Sequence, residues 1–288
     1  MSVKTFLPVS AFKDAAFDPA QSAKFCLVMQ IGVNGIYAAV LDNLSNTFLA
    51  FESYELKKVS NEKDLANEIG KLIREHEWLS NGFKKADVMV VTERFTLVPN
   101  AFFDPAKAKE FLSFNHPLTD SDEISSDTLR NADAKLVYAN EKELIKQLKN
   151  ISGVKIHHHL ATSIERQLSV NKTKQGRRAL VNVQKERFDL VISDAGKLLL
   201  ANTFNYQTSE DVIYFLLFAC EQLKMNPDTM EVEIVGETPA DSAIVMLVRK
   251  YVRNASLGSA PMEAQFAKDF SRFPSHYHAA LFSLHYFS

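Results

Sequence analysis

The stretch "VNVQKERFDLVISDAGKLLLANTF", Val181 to Phe204, reads as strand, tight turn, strand, turn, strand, and "LVMQIGVNGIYAAVLDNLSNTFLAFESYEL", Leu27 to Leu56, reads the same way. Two copies of one three-strand meander constrain the fold strongly, because each sheet needs its own helical cover. In the first copy "FCLVMQI", from Phe25, is a continuous apolar run of the kind a central strand buried on both faces requires. The dipeptide Asn34-Gly35 then suits a two-residue hairpin turn with positive φ at both positions. "IYAAVLD" returns, "NLSN" turns, and "TFLAFESYEL" completes the meander. Asn61, with Asp64 three residues on, caps a helix through "DLANEIGKLIREHEWL", and "ADVMVVTE" from Ala86 is the next buried strand.

The second copy repeats this order. "RALVNVQ", "RFDLVIS" and "KLLLANTF" form the meander, with Ala195 and Gly196 closing its second turn. Thr208 and Asp211 have capping-box spacing for the helix "TSEDVIYFLLFACEQLKM"; "EVEIVG" is a buried strand and "PADSAIVMLVRKYV" a further helix. Between the copies, "FTLVPNAFFD" and "PAKAKEFLSF" predict an extended segment and a short helix. "LTDSDEISSDTLRNADA" is polar and acidic without periodicity and is expected to be an exposed insertion. "AKLVYAN", "EKELIKQLKN", "GVKIHHH" and "LATSIERQL" complete the first half as strand, helix, strand, helix.

Composition excludes some roles. A chain of 288 residues with 46% hydrophobic and 24% charged residues is ordinary globular material, long enough for two domains. Its net charge of -2 supplies no field for nucleic acid or anionic lipid. The one compact basic run, "NKTKQGRR" at Asn171 to Arg178, reads as a solvated connector. Cys26 and Cys220 lie in apolar surroundings and read as buried free thiols of a reducing compartment. "MSVKTFLPVSAFKDAAF" lacks a signal-peptide core and Val212 to Cys220 is too short to span a bilayer, so no membrane insertion and a cytoplasmic location are expected.

A meander followed by alternating helices and strands, present twice, resembles the duplicated ribonuclease-H-like fold of the actin, hexokinase and heat-shock ATPase superfamily. More closely, "VTERFTLVPNAFFD", "LLLANTFNYQTSEDVIYFLLF" and "VEIVGE" resemble a family of uncharacterised Bacteroidetes proteins assigned an actin-like ATPase fold. The resemblance implies a mixed α/β chain of two tandem ribonuclease-H-like domains, 1–172 with an insertion around 95–133, and 173–288. It also implies a nucleotide cleft between them. There the first hairpin of each meander would embrace the phosphates, and a carboxylate at the end of each first strand would organise metal and water.

The residues depart from that pattern. Mg²⁺ prefers hard anionic oxygen ligands, and glycine-rich turns let backbone N–H groups approach phosphate. The first carboxylate position holds Gln30, although Gly32, Asn34 and Gly35 keep a turn a phosphate could approach. The second holds Asn182, and its turn carries Gln184, Lys185 and Glu186 in place of glycines. The adenosine-binding strand of the superfamily ends in paired glycines; here Gly236 is followed by Glu237. Loss of charged groups is severe for phosphoryl transfer, and Gln30 equally lacks the carboxylate a two-metal nuclease needs. Asp42 and Asp194 are expected to be turn residues.

Other candidates are weaker. Strand alternation puts His157 and His159 of "HHH" on one face, with no Cys or carboxylate partner to complete a zinc set, so no metal site is expected. Phe95, Phe102 and Phe103 are expected in the core, and "FSRFPSHYHAALFSLHYFS" is expected to pack as a terminal helix. No nucleophile motif stands out. The sequence therefore points to a non-catalytic interaction or scaffold protein with a protein partner, no nucleic acid and no required cofactor. The alternative is a nucleotide-binding protein, a weak ATPase or kinase-like enzyme using ATP and Mg²⁺ in the cleft, with Glu186 or another carboxylate in the metal role.

Overall fold

The structure, a computed structural model, describes residues 7–56, 59–76, 78–171 and 176–287. The first half contains β1 (Ser10–Lys13), β2 (Cys26–Gly32), β3 (Gly35–Asp42), β4 (Thr47–Glu55), α1 (Glu62–Glu75), β5 (Lys85–Val90), β6 (Phe95–Pro99), α2 (Ala108–Ser113), β7 (Asp122–Leu129), β8 (Ala134–Glu141), α3 (Lys142–Leu148), β9 (Val154–His158) and α4 (His159–Asn171). The second contains β10 (Arg177–Gln184), β11 (Arg187–Asp194), β12 (Lys197–Asn205), α5 (Ser209–Gln222), β13 (Glu231–Gly236), α6 (Ala243–Tyr251), β14 (Asn254–Leu257), β15 (Gln265–Phe266) and α7 (Ala279–Phe287).

The duplication is visible in the strand order. One sheet runs β4-β3-β2-β5-β9 and the other β12-β11-β10-β13-β14, so each places its third, second, first, fourth and fifth strands in the same sequence. In both, the meander is antiparallel and the last strands join parallel to the first. This is the tandem ribonuclease-H-like, actin-like architecture. β1 and the short β15 add to the edge at β4.

The layers follow from which faces are apolar. Leu27, Met29 and Ile31 of β2 point toward Leu65 and Ile69 of α1 and Leu144 of α3. Cys26 and Val28, one residue out of phase, face Leu281, Phe282 and Leu284 of α7. The second sheet does likewise: Val181 and Val183 pack with Val212 and Leu216 of α5 and Val245 of α6, while Leu180 and Val191 face Ile164 and Leu168 of α4. Helices α4 and α7 therefore lie between the sheets, with α1 and α3 outside the first and α5 and α6 outside the second. The chain returns to the first sheet to make α7, whose Phe282 ring lies 4.8 Å from Phe48. The terminal aromatics thus pack as expected, and both cysteines are buried free thiols.

Several expectations need correction. The first hairpin turns at Val33-Asn34, because Gly32 pairs with Gly35, and neither Asn34 nor Gly35 has positive φ. Gly35 serves a close approach instead: a Cβ there would lie 2.9 Å from the Tyr54 carbonyl oxygen. Helix α1 stops at Glu75, where His76 and Trp78 turn inward to meet Glu52. The acidic stretch expected to be irregular contains β7, which joins β6 and β8 in a small third sheet. Hydropathy hid it because two of its buried side chains are carboxylates: Asp122 accepts from Arg94 Nη1 at 2.6 Å, and Asp127 accepts from the His158 backbone N–H at 2.7 Å. Phe102 is exposed, whereas Phe95 and Phe103 are partly buried. Half of the basic connector, 172–175, lies outside the described residues, while Asn171 ends α4 and Arg177 and Arg178 begin β10. Among the described residues no helix is long and apolar enough to cross a membrane.

Candidate functional site

The two meanders present their first hairpins to each other across the central layer. Asn34, in the β2–β3 turn, donates its amide to the Lys185 carbonyl in the β10–β11 turn at 3.1 Å. Lys185 Nζ in turn lies 3.4 Å from Glu55 Oε1, an exposed pair worth little in itself. Around this contact the structure gathers Gln30, Gly32, Asn34, Gly35, Gln184, Lys185 and Glu237. Seven of the residues singled out in the sequence thus border one space. The space they enclose is about 20 Å³, room for about one water and far below the several hundred cubic ångströms of small-ligand sites.

Three of the predicted residues stand apart from this space. Glu186 sits in the turn at φ +65°, with its carbonyl taken by the Tyr206 N–H. Gly236, at φ +98°, is fixed by backbone contact: a Cβ would fall 2.0 Å from the Val183 carbonyl oxygen, and its N–H donates to the His276 carbonyl at 2.8 Å. Asn182 is buried and turns toward its cross-strand partner Asp189.

Asp189 is the carboxylate the sequence reading missed. It lies on β11, one strand over from the expected position, and its side chain is fully buried. His159 Nε2 lies 3.0 Å from Oδ1, and the Thr203 hydroxyl donates to that oxygen at 2.8 Å. Asn182 and Gln184 donate their amides to Oδ2 at 3.1 and 3.3 Å. Burial alone would raise its pKa; the adjacent His159 and the donated hydrogen bonds outweigh that and hold it below the usual carboxylate value. A carboxylate has about four lone-pair sites, and here all are taken, so Asp189 has nothing left to offer a metal. A carboxylate inside the apolar run "RFDLVIS" was the available signal.

Tyr37, Val91 and Arg187 also line the cleft and were not foreseen. Burial and the neighbouring Glu237 hold the Tyr37 hydroxyl in its protonated form, with its pKa above the usual value. Desolvation likewise raises the Glu237 carboxyl, against the opposing effects of the Tyr37 hydrogen bond and Lys185. Arg187 is only 8% exposed, and among the described residues its guanidinium has no hydrogen-bond or ion-pair partner.

The histidine run splits instead of alternating, because β9 ends at His158 and α4 begins at His159. His157 Nδ1 lies 3.0 Å from Asp127, His158 Nε2 lies 3.0 Å from the Thr92 carbonyl, and His159 meets Asp189. Burial, then the neighbouring His159, keep His158 well below its usual pKa and therefore neutral. Among the described residues no group of three or more His, Cys, Asp or Glu side chains is arranged to hold a metal ion.

Residues 14–255 match the model of a family described as "Protein of unknown function (DUF3822)". The chain belongs to that family. Among solved structures, the chain is similar to a Bacteroides thetaiotaomicron protein with actin-like ATPase fold and unknown function. The likeness has 19% identity and a TM-score of 0.76 over 84% of this chain and 93% of that one. It is also similar to the PilM–PilN type IV pilus biogenesis complex, with 14% identity and a TM-score of 0.56 over 90% of this chain and 97% of that one. No curated protein matches the chain. These likenesses show the family's fold and leave its activity open.

Proposed function

We propose that this chain is a non-catalytic actin-fold interaction module. The carrying observation is the direct contact of the two hairpins, Asn34 to the Lys185 carbonyl, around a space of about 20 Å³. In this arrangement the turns hold each other, and the buried carboxylate on β11, Asp189, is saturated by protein donors. Exposed aromatics on the outer helices support this reading: Tyr214 and Phe218 of α5 stack at 6.1 Å and are 62% and 48% exposed, and Met246 and Tyr251 of α6 are also exposed. The PilM–PilN complex is an instance of this fold engaged with a protein, which agrees with the reading.

A second reading rests on Arg187. A guanidinium bordering the cleft without a protein partner among the described residues could receive an anion such as a nucleotide phosphate, if the hairpins part. Calorimetric titration with Mg²⁺-ATP separates the two. The module reading expects no heat of binding up to millimolar nucleotide. Micromolar binding that is lost in Arg187→Ala would overturn it in favour of a nucleotide clamp.

A further inference from the structure

Away from the hairpins, a cavity of about 260 Å³ opens between the small sheet and the central layer, walled by β7, β9, the first turns of α4 and the end of α7. That is just below the range for small-molecule sites, which begins at about 300 Å³, and more than ten times the space at the hairpins. Two cations line it. Among the described residues neither Arg130 nor Lys155 has a hydrogen-bond or ion-pair partner, although both border the same space. Thr162, 2% exposed, also lines it, and its hydroxyl has no hydrogen-bond partner among the described residues.

The acidic side chains on the wall are already engaged. Asp127 faces His157 Nδ1 at 3.0 Å and accepts from the His158 N–H at 2.7 Å. Glu165 accepts from the Asn131 N–H at 3.2 Å and from the Asn131 side-chain amide. An entering ligand thus meets open cations and a free hydroxyl, while the carboxylates are turned to protein donors. Leu284 and Phe287 of α7 supply an apolar wall opposite.

We propose that this cavity binds a small organic carboxylate, its charged end held by Arg130, Lys155 and the Thr162 hydroxyl and its apolar body against Leu284 and Phe287. The guanidinium fork matches a carboxylate in two parallel hydrogen bonds. The helix start at α4 adds a positive dipole end on the same side. A monoanion fits better than a phosphate dianion, because a second negative charge would face Asp127 and Glu165. The proposal is independent of how the hairpin cleft is read.

The test is calorimetric titration of the full chain with octanoate, butyrate and inorganic phosphate. The expected result is octanoate binding with a Kd below about 1 mM, weaker butyrate, and at least about tenfold loss for octanoate in the double variant R130A/K155A. Both side chains are exposed, so that variant should fold, which circular dichroism checks; Lys149→Ala, an exposed lysine paired with Glu123, should leave binding unchanged. The proposal is overturned if octanoate binding survives R130A/K155A, which would place it elsewhere. It is equally overturned if phosphate binds as well as octanoate, or if none of the three gives heat at about 10 mM.

Discussion

Restoring the absent carboxylate by Asn182→Asp should damage the protein and leave it without ATPase activity. In the structure the Asn182 amide nitrogen lies 3.1 Å from Asp189 Oδ2, so the substitution puts two carboxylates in contact. At that separation two full charges repel by about 5 kcal/mol at an effective dielectric constant near 20. The new group escapes by keeping its proton, and the cost of doing so is about 1.4 kcal/mol per pH unit above an unfolded pKa near 3.9. At pH 7 the loss is therefore capped at about 4 kcal/mol, a large share of an ordinary domain's stability. The sign follows from the direction of the shift. The folded-state pKa of the new carboxyl is raised, so the penalty is absent below about pH 4, grows as pH rises, and levels off once pH passes that pKa. Urea denaturation of wild type and N182D from pH 4 to pH 8 reads this directly, as a stability difference that opens with pH. Equal stability at pH 7, or a difference that does not change with pH, would refute the buried Asp189 network as described. ATP hydrolysis gained by N182D would refute the module reading as well.

Other expectations follow from the same coordinates. Gly236→Ala should cost more than about 3 kcal/mol, since it adds left-handed strain to a clash with the Val183 backbone that side-chain rotation cannot relieve; an unchanged denaturation midpoint would contradict that geometry. His278 is buried among Phe51, Phe273 and Tyr37, and burial lowers its pKa to about 3. The unfolded chain takes up that proton near pH 6.5 and the folded chain does not, so wild type loses about 1.4 kcal/mol per pH unit between those values. His278→Phe should remove this dependence and gain roughly 2 kcal/mol relative to wild type at pH 5 compared with pH 7.5, which thermal melts at the two pH values would detect. Tyr214→Ser combined with Phe218→Ser should change stability by less than about 1 kcal/mol, because both side chains are largely exposed, yet release any protein that co-purifies with wild type. Retention of that protein at wild-type stoichiometry would remove α5 from the interaction surface.

The parts of the fold that could be read from sequence are those governed by strand period and turn chemistry. The buried runs "FCLVMQI" and "RALVNVQ" give central strands because both faces of each are apolar, and Ala195-Gly196 marks its turn because both residues need positive φ. Where polar side chains replace apolar ones in the interior, the reading fails. β7 is invisible to hydropathy because two of its buried side chains, Asp122 and Asp127, are carboxylates, and their partners Arg94, His157 and His158 are distant in the chain. The site shows the same division. Gln30, Gly32, Asn34, Gly35, Gln184 and Lys185 lie together because a repeat fixes where its turns lie, and Glu237 joins them from the end of β13. Arg187 and Asp189 were missed because their roles depend on cross-strand neighbours, which spacing along one strand does not reveal.

The position of Asp189 bears on what the fold is for. A carboxylate that served a metal would need a lone pair directed at the space between the hairpins and an environment that tolerates loss and gain of a cation. Asp189 instead stands on the neighbouring strand with two donors on each oxygen, drawn from β10, β12 and the first residue of α4. Those donors belong to the second sheet and to the central layer, so the carboxylate ties the layer between the sheets to the second sheet. The first half has no counterpart, since Tyr37, the cross-strand partner of Gln30, occupies the matching place on β3. Both hairpins thus carry an amide at the end of the first strand, Gln30 and Asn182, while Asn34 and Lys185 join the tips. Polar groups of the two turns here bond to each other across the central layer. That supports the reading of the chain as a rigid presenter of surfaces, with Arg187 the one group at the cleft whose chemistry argues for a ligand.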